Sequence, residues 1–173
     1  MPIYQLDDLI PDIDPEAYVH PDAVVIGDVH IGPESSIWPH AVLRGDNGPI
    51  FIGARTSIQD GTVVHTIEQN PTTVGSGCVV GHLAHLEGCV IEDDALVGSG
   101  SIVLHFAVVG TGATVGANAV VPNRMVVPPG ALALGVPARI KPDASSLAAI
   151  TGGAQSYVTR AARYRAGLKR IDR

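Results

Sequence analysis

The stretch VIEDDALVGSGSIVLHFAVVGTGATVGANAVVPNRMVV, residues 90–127, carries an aliphatic residue at every sixth position. A period of six fits neither an α-helix nor a simple amphipathic strand. It is typical of a parallel β-helix, in which each hexapeptide is a short strand plus a turn and three hexapeptides complete one triangular coil. The aliphatic side chains then stack inside the coils. The repeating positions are Ile91, Val97, Val103, Val109, Val115, Val121 and Val127.

The same period extends towards the N-terminus with two interruptions. Aliphatic residues recur every six positions over residues 19–43, 52–64 and 74–86, and the stretches between them contain RGDNGP and HTIEQNP, which we predict to be loops. Because each coil buries the faces of its neighbours, stability is expected to build up along the stack. We therefore predict an all-β fold, a parallel β-helix over residues 1–142 that includes an N-terminal lead-in.

Residues 143–173 lack the period of six, and we predict a C-terminal helical segment there, packed along the β-helix. Asp143 or Ser145 is a candidate N-cap, and the pair Gly152–Gly153 suggests a break. Six of the 11 Lys and Arg residues lie in this segment, which we interpret as a solvated basic face. The apolar residues at helical spacing are Tyr157, Ala161, Tyr164 and Leu168.

Composition narrows the function classes. The formal net charge of −6 argues against nucleic acid as a main partner, because nucleic-acid-binding proteins usually carry a basic face. No apolar run reaches membrane-spanning length and no signal-peptide pattern is visible, so we expect a soluble cytoplasmic protein without a membrane partner. The two cysteines, Cys78 and Cys89, are expected to be reduced and buried, without a catalytic role.

The repeat assigns polar side chains to faces of the prism. Three residues directly follow the aliphatic positions of the third face in successive coils, namely Arg44, His65 and Glu87. We expect them to form one column on an outer edge, about 5 Å apart from coil to coil.

The polar residues of the second face, Gln59, Asp60 and His82, lie on a different side of the prism from that column. In a closed threefold assembly, the second face of one copy lies beside the third face of the next, because heterologous contacts close into rings. The frame therefore suggests a homotrimer with sites at the subunit interfaces, each built from His65 and Glu87 of one chain and His82 of the next. His85 is expected to be a surface or interface histidine. Structural or exposed positions are expected for His20, His30, His40 and His105.

Two segments resemble the γ-class carbonic anhydrase-like proteins: RGDNGPIFIGARTSIQDGTVVHT at residues 44–66, and VGHLAHLEGCVIEDDALVGSGSIVL at residues 80–104. The resemblance extends over nearly the whole chain. It implies a left-handed β-helix, a homotrimer, and zinc sites at the subunit interfaces, where three histidines hold a metal ion and its water. It also implies the reversible hydration of CO₂ to bicarbonate by metal-bound hydroxide.

The resemblance also implies roles for individual residues. His65 and His82 fall on two of the three metal-ligand positions. Arg44 and Asp46 resemble the pair that organises the subunit interface. The residues that orient the metal-bound water correspond to Gln59 and Asp60, and a tail aromatic near the site corresponds to Tyr157.

The chain departs from the family at the third ligand, because the family reads LHGC where this chain reads LEGC, with Glu87 in place of the histidine. Two histidines and one glutamate form a recognised catalytic zinc set that leaves a position for water. His85 is an alternative third ligand, in which case Glu87 would orient a ligand histidine. A carboxylate ligand makes the metal a weaker Lewis acid and raises the pKa of its bound water. We therefore expect the substitution to affect the rate of CO₂ hydration more than metal binding.

The metal and the reaction class have alternatives. Zn²⁺ is expected, and Fe²⁺, Co²⁺ and Ni²⁺ are alternatives because such ligands do not choose strongly among them. A second hypothesis is a hexapeptide-repeat acyltransferase with His82 or His85 as general base. A third is a non-catalytic trimeric metal-binding or assembly module, since fold alone does not decide function.

Overall fold

The structure, a computed structural model, describes residues 2–172 as a parallel β-helix of about seven turns followed by one α-helix. The β-helix is built from short strands. In chain order the strands are β1 (Ile3–Tyr4), β2 (Asp12–Ile13), β3 (Tyr18–Val19), β4 (Val24–Ile31), β5 (Ser36–Ile37), β6 (Val42–Ile52), β7 (Ser57–Ile58), β8 (Val63–His65), β9 (Thr72–Val74), β10 (Val79–Val80), β11 (His85–Glu87), β12 (Val90–Ile91), β13 (Leu96–Val97), β14 (Ile102–Val103), β15 (Val108–Val109), β16 (Thr114–Val115), β17 (Val120–Val121), β18 (Val126–Val127), β19 (Leu132–Leu134) and β20 (Arg139–Lys141).

Strands of successive coils pair in parallel, with the register that the six-residue period predicts. On the third face, Leu43 pairs with Val64, and Val64 pairs with Leu86. These three side chains are fully buried and belong to one core of stacked aliphatic residues that runs through the coils. Branched aliphatic side chains suit this interior because they fill a pleated surface with few rotamers. The predicted β-helix is confirmed.

The RGDNGP stretch, which we expected to be a loop, is part of strand β6. Strand β6 pairs with β4 on both sides of a bulge between Gly27 and Val29. Two glycines allow this close pairing: a Cβ at Gly45 would lie 2.3 Å from the carbonyl oxygen of Asp28, and Gly27 has φ +76°. The pairing jumps from Gly45 to Ile50, so residues 46–49 have no paired partner in β4, whereas Arg44 is paired with His65 of the next coil. The HTIEQNP stretch does turn away from the prism after His65, as predicted.

Helix α1 (Leu147–Gly167) begins later than expected. Its N-cap is Ser146, whose hydroxyl accepts a hydrogen bond from the backbone N–H of Ala149. Ser145 is not the cap because its hydroxyl is shared with that of Thr114 at 2.7 Å. Asp143 lies in a turn before the helix, with φ 50°. The candidate caps Asp143 and Ser145 were therefore wrong by three residues and by one residue, respectively.

The predicted break at Gly152–Gly153 is also wrong, because α1 continues through both glycines. Ile150 and Ala154 on either side are buried, so tertiary packing outweighs the low helix propensity of glycine. A Cβ on Gly153 would lie 3.7 Å from the side chain of Val79 on the β-helix. Leu168, which we placed on the apolar stripe, is the C-cap and is half-exposed.

Aromatic side chains attach α1 to the second face. Trp38 packs edge-on against Tyr157 and Tyr164, with ring centroids 5.6 and 5.1 Å apart, and Tyr18 packs against Trp38. Arg165 adds two hydrogen bonds to backbone carbonyls before β3. The helix thus covers the second face near the corner where Gln59 lies. No helix within residues 2–172 is long and apolar enough to cross a membrane.

Candidate metal centre

Arg44, His65 and Glu87 form the column on the third face that the sequence predicts. Strand β6 pairs Arg44 with His65, and strand β11 pairs Glu87 with His65. All three residues follow a buried aliphatic residue, so their side chains point away from the core. The polar column is therefore a direct consequence of parallel in-register pairing.

His65 lies between two carboxylates. Its Nδ1 is 2.8 Å from Oε1 of Glu87, and its Nε2 is 2.9 Å from Oδ1 of Asp46. Arg44 donates to the second oxygen of Asp46. A neutral imidazole has one N–H and donates to one carboxylate only. A doubly protonated ring would donate to both carboxylates, whereas a neutral ring leaves the lone pair of one nitrogen facing a carboxylate.

Asp46 is tuned by the same neighbours. Partial burial alone would raise the pKa of Asp46, but the hydrogen bonds from His65 and Arg44 together with the Arg44 charge bring the pKa below its usual value. The carboxylate at position 46 therefore stays ionised. It can hold His65 in one orientation and bind Arg44 at the same time.

Glu87 contacts three histidines. Besides His65 on Oε1, its Oε2 lies 3.4 Å from Nε2 of His85 and 3.2 Å from Nε2 of His105. Burial tends to raise the pKa of Glu87, but the contacts with His65, His105 and His85 outweigh it and lower the pKa to about 2. Glu87 is thus an anion with both oxygens engaged by imidazoles.

His82 lies outside this cluster. Its Nδ1 is 2.9 Å from Oδ2 of Asp60, and both side chains are about half-exposed, at 50 and 46%. A carboxylate on one ring nitrogen fixes the orientation of an imidazole and leaves the other nitrogen for a ligand. The pair Asp60–His82 therefore presents Nε2 of His82 outward from the second-face corner.

The remaining predicted residues lie near the His82 corner and not near Glu87. Gln59 is buried at 4% exposure and donates its backbone N–H to Val80. Tyr157 packs on Trp38, which occupies the position equivalent to Gln59 one coil earlier. Arg160 lies over the Tyr157 ring at 4.7 Å. Gln59, Asp60 and Tyr157 therefore share a side of the prism with His82.

The side chains of one chain meet the requirements of a divalent ion only in part. Within residues 2–172 of one chain, no group of three His, Cys, Asp or Glu side chains is arranged to hold a metal ion. The donor types nevertheless suit zinc, since imidazole nitrogens and a carboxylate oxygen form a known set. A neutral His65 has one ring nitrogen whose lone pair faces a carboxylate, and a cation bound by both groups would relieve that repulsion. The column alone therefore does not complete a ligand set, and the half-exposed imidazole of His82 lies at another corner of the prism.

His105 is the residue of this cluster that the sequence did not single out. It follows β14, one coil beyond Glu87, and its Nε2 is buried without a well-formed hydrogen bond to any described residue. In the next coil, the residue in register with Glu87 is Leu104, so the six-residue repeat predicts an apolar side chain at this position of the column.

Parallel in-register coils and an edge of histidines and carboxylates define a hexapeptide-repeat protein with a polar cluster on one edge of the prism. The family described as "Bacterial transferase hexapeptide (six repeats)" matches residues 88–123. In solved structures, the chain is similar to a candidate acetyltransferase, the product of the BC4754 gene of Bacillus cereus. That match has a TM-score of 0.93 and 35% identity, and covers 95% of this chain and 96% of that one.

Two curated relatives narrow the class further. Gamma carbonic anhydrase 1, mitochondrial, of Arabidopsis thaliana is 40% identical over 87% of this chain and 58% of its own length. The carnitine operon protein CaiE of Citrobacter koseri is 41% identical over 83% of this chain and 73% of its own length. The chain thus spans little more than half the length of the plant relative. It belongs to the γ-class carbonic anhydrase-like family of hexapeptide-repeat proteins.

Proposed function

We propose that this protein is a metal-dependent γ-carbonic anhydrase-like enzyme that interconverts CO₂ and bicarbonate at the interfaces of a homotrimer. The observation that carries the proposal is the separation of two incomplete half-sites on one chain. His65 and Glu87 lie on the third face, while His82 faces outward from the corner at Asp60. A second copy that brings its His82 to the column completes a set of two histidines and one carboxylate.

We assign the ligand roles from the contacts that support them. His65 and His82 of adjacent copies are the nitrogen ligands, and Glu87 takes the third position through Oε1, the oxygen that faces His65. His85 remains the alternative third ligand. A bound Zn²⁺, or Fe²⁺, Co²⁺ or Ni²⁺ in its place, would supply an activated water near neutral pH.

The chain's other polar residues orient these ligands. Asp46 accepts from Nε2 of His65 when Nδ1 is the ligating nitrogen, and Arg44 fixes Asp46. Asp60 does the same for His82 through Nδ1. Such carboxylate partners fix the tautomer and raise the basicity of a ligand imidazole. Gln59, Asp60 and Tyr157 lie on the His82 side of the interface, where they could orient substrate and water.

The test is metal analysis of the assembled protein beside His65→Ala, His82→Ala, Glu87→Ala and His85→Ala. We expect about one zinc per chain in the wild type and loss of zinc in the first three variants, because one ligand of three is removed. Retention in Glu87→Ala with loss in His85→Ala would reassign the third ligand to His85. CO₂ hydration, measured by stopped flow on zinc-loaded protein, then separates an enzyme from a metal-binding module.

One observation favours a second candidate, an acyltransferase. The Bacillus cereus protein of closely similar fold is described as a candidate acetyltransferase. In that case His82, held by Asp60, would act as general base towards an acyl thioester. Acyl transfer by protein stripped of metal with a chelator would support this alternative over the carbonic anhydrase-like function.

A further inference from the structure

His105 stands beside the proposed metal centre without a role of its own. Its Nε2 is buried, makes no well-formed hydrogen bond to a described residue, and lies 3.2 Å from Oε2 of Glu87. Nε2 of His85 lies 3.4 Å from the same oxygen. The other oxygen, Oε1, faces His65 at 2.8 Å. The two oxygens of Glu87 thus have different partners.

We propose that His105 is a positioning residue, which, together with His85, holds Oε2 of Glu87 so that Oε1 is presented to His65 and to the metal ion. This inference rests on the proposed function. It assigns a role to a histidine from the following coil, and it explains how a glutamate can serve where the family has a histidine.

A glutamate at this position needs such support. Its carboxylate is carried on three rotatable bonds, whereas an imidazole is carried on two, so an unsupported Glu87 samples more positions. Metal-ligating carboxylates are generally hydrogen-bonded by neighbouring groups. His105 and His85 supply those neighbours for Glu87. With Oε2 engaged by both rings, Glu87 would bind the metal through one oxygen only.

The turn that carries His105 is well fixed. The backbone N–H of Phe106 donates to Gly88 at 2.6 Å, and the carbonyl of His105 accepts from Arg124 at 3.0 Å. The guanidinium of Arg124 also lies over the Phe106 ring, 4.6 Å from its centre. The backbone at His105 is thereby tied to the coil before and to the coil after. A side chain on such a turn can hold a neighbouring group in place.

The experiment titrates Co²⁺ into chelator-treated, assembled protein and records its dissociation constant and visible absorption spectrum. The variants are His105→Leu, which removes the nitrogens, and His105→Gln, which keeps an N–H donor. The matched control is His30→Leu, because the side chain of His30 is 41% exposed, against 34% for His105. His30 also contacts a carboxylate, that of Asp28 at 2.9 Å, but on another face. Sedimentation establishes that each variant assembles like the wild type.

We expect His105→Leu to weaken Co²⁺ binding about 10- to 100-fold and to alter the spectrum, as loss of a partner of a metal ligand does. His105→Gln should recover most of the affinity, and His30→Leu should match the wild type. If His105→Leu does not assemble, His105→Ala, which adds no bulk, is measured in its place.

Two results would overturn the proposal while leaving the proposed function intact. One is wild-type affinity and spectrum in His105→Leu. The other is a loss of affinity that His105→Gln does not recover, with the spectrum unchanged, since that indicates a purely structural role. A wild-type protein that assembles but binds no Co²⁺ and no Zn²⁺ would instead reject the proposed function, and the role of His105 with it.

Discussion

Glu87 changes the charge of the proposed site, because it puts an anion where the family has a neutral histidine. An anionic ligand lowers the acidity of water on a metal, so the proposed activity is expected to be limited by the chain's own substitution. The contacts of Glu87 with three histidines keep it ionised, with its pKa lowered to about 2. Its negative charge is therefore present at every pH near neutrality.

We predict that Glu87→His increases CO₂ hydration. With three neutral ligands the metal centre keeps its full positive charge, which lowers the pKa of the activated water. At a pH below that pKa, each unit by which the pKa falls increases the hydroxide fraction about tenfold. The measurement is stopped-flow hydration on zinc-loaded protein at pH 7, with zinc content determined for each sample. Glu87→Gln is the control, since it is neutral but a weaker ligand. Lower hydration in Glu87→His at full zinc content would contradict the prediction.

Cys78 provides a pH-dependent prediction away from the site. It is fully buried and free, as expected from the sequence, and burial raises its pKa to about 12, with Asp93 and Asp94 acting in the same direction and hydrogen bonds from Ala95 and Thr56 opposing it. In the unfolded chain the thiol ionises near pH 8.5. Because the thiol holds its proton more tightly in the folded protein, its contribution to the free energy of unfolding is fully present below the unfolded-state pKa. That contribution is lost as the pH rises towards the folded-state pKa of about 12.

The free energy of unfolding should therefore fall between about pH 8.5 and pH 12, by roughly 1–2 kcal/mol at pH 10 from Cys78 alone. Urea titrations at pH 8 and pH 10 measure it, with Cys78→Ala as the comparison. Cys78→Ala is expected to be less stable at pH 8 but to show a smaller decrease at pH 10. Equal decreases in both proteins would show that the Cys78 thiol does not ionise selectively in the unfolded chain.

The elements show where sequence patterns suffice and where contacts between coils decide. The period of six predicts the strands and the column Arg44–His65–Glu87. In parallel in-register pairing, residues at the same place in successive coils lie directly beside one another. It does not predict that β6 continues through RGDNGP, since the pairing with β4 depends on a bulge at Gly27. It also misses the uninterrupted α1, because the packing of Ile150 is a tertiary contact. His105 was missed because Leu104 holds the column position above Glu87, and His105 reaches Glu87 from the next position along the chain.

Two glycine substitutions in different elements should have opposite effects. In β6, Gly45→Ala places a Cβ 2.3 Å from the carbonyl oxygen of Asp28, so the strand must shift and the protein should lose about 1–3 kcal/mol. In α1, Gly152→Ala meets nothing within 4 Å and should gain about 0.5–1 kcal/mol. Urea unfolding measures both changes. The prediction fails if Gly45→Ala is as stable as the wild type.

At the scale of the whole molecule, the prism separates ligands that are close in sequence. His82 and Glu87 are five residues apart, yet they lie on different sides of one coil: His82 pairs with Asp60 at one corner, and Glu87 pairs with His65 on the third face. A site that needs both therefore needs two copies of the chain. The proposed trimer would supply two copies at each of its interfaces, and it can be tested independently of the reaction.

Mixed trimers provide that test. A chain with His82→Ala keeps its third-face column, and a chain with His65→Ala keeps its exposed His82, so one intact site forms wherever the first precedes the second around the ring. Neither variant alone should bind zinc with wild-type affinity. Unfolding and refolding the two together at equal concentration should restore roughly one quarter of the wild-type sites, because each interface has the required order with that probability.

Zinc content per chain, measured after assembly is verified by sedimentation, reports the restored fraction. A mixture of His65→Ala with Glu87→Ala is the matched control. Both changes damage the same column, so every interface lacks a column ligand and no site is restored. Recovery of zinc in the first mixture but not in the second requires His65 and Glu87 to act from one chain and His82 from another. Absence of recovery in verified mixed trimers would mean that His65 and His82 do not serve a shared site.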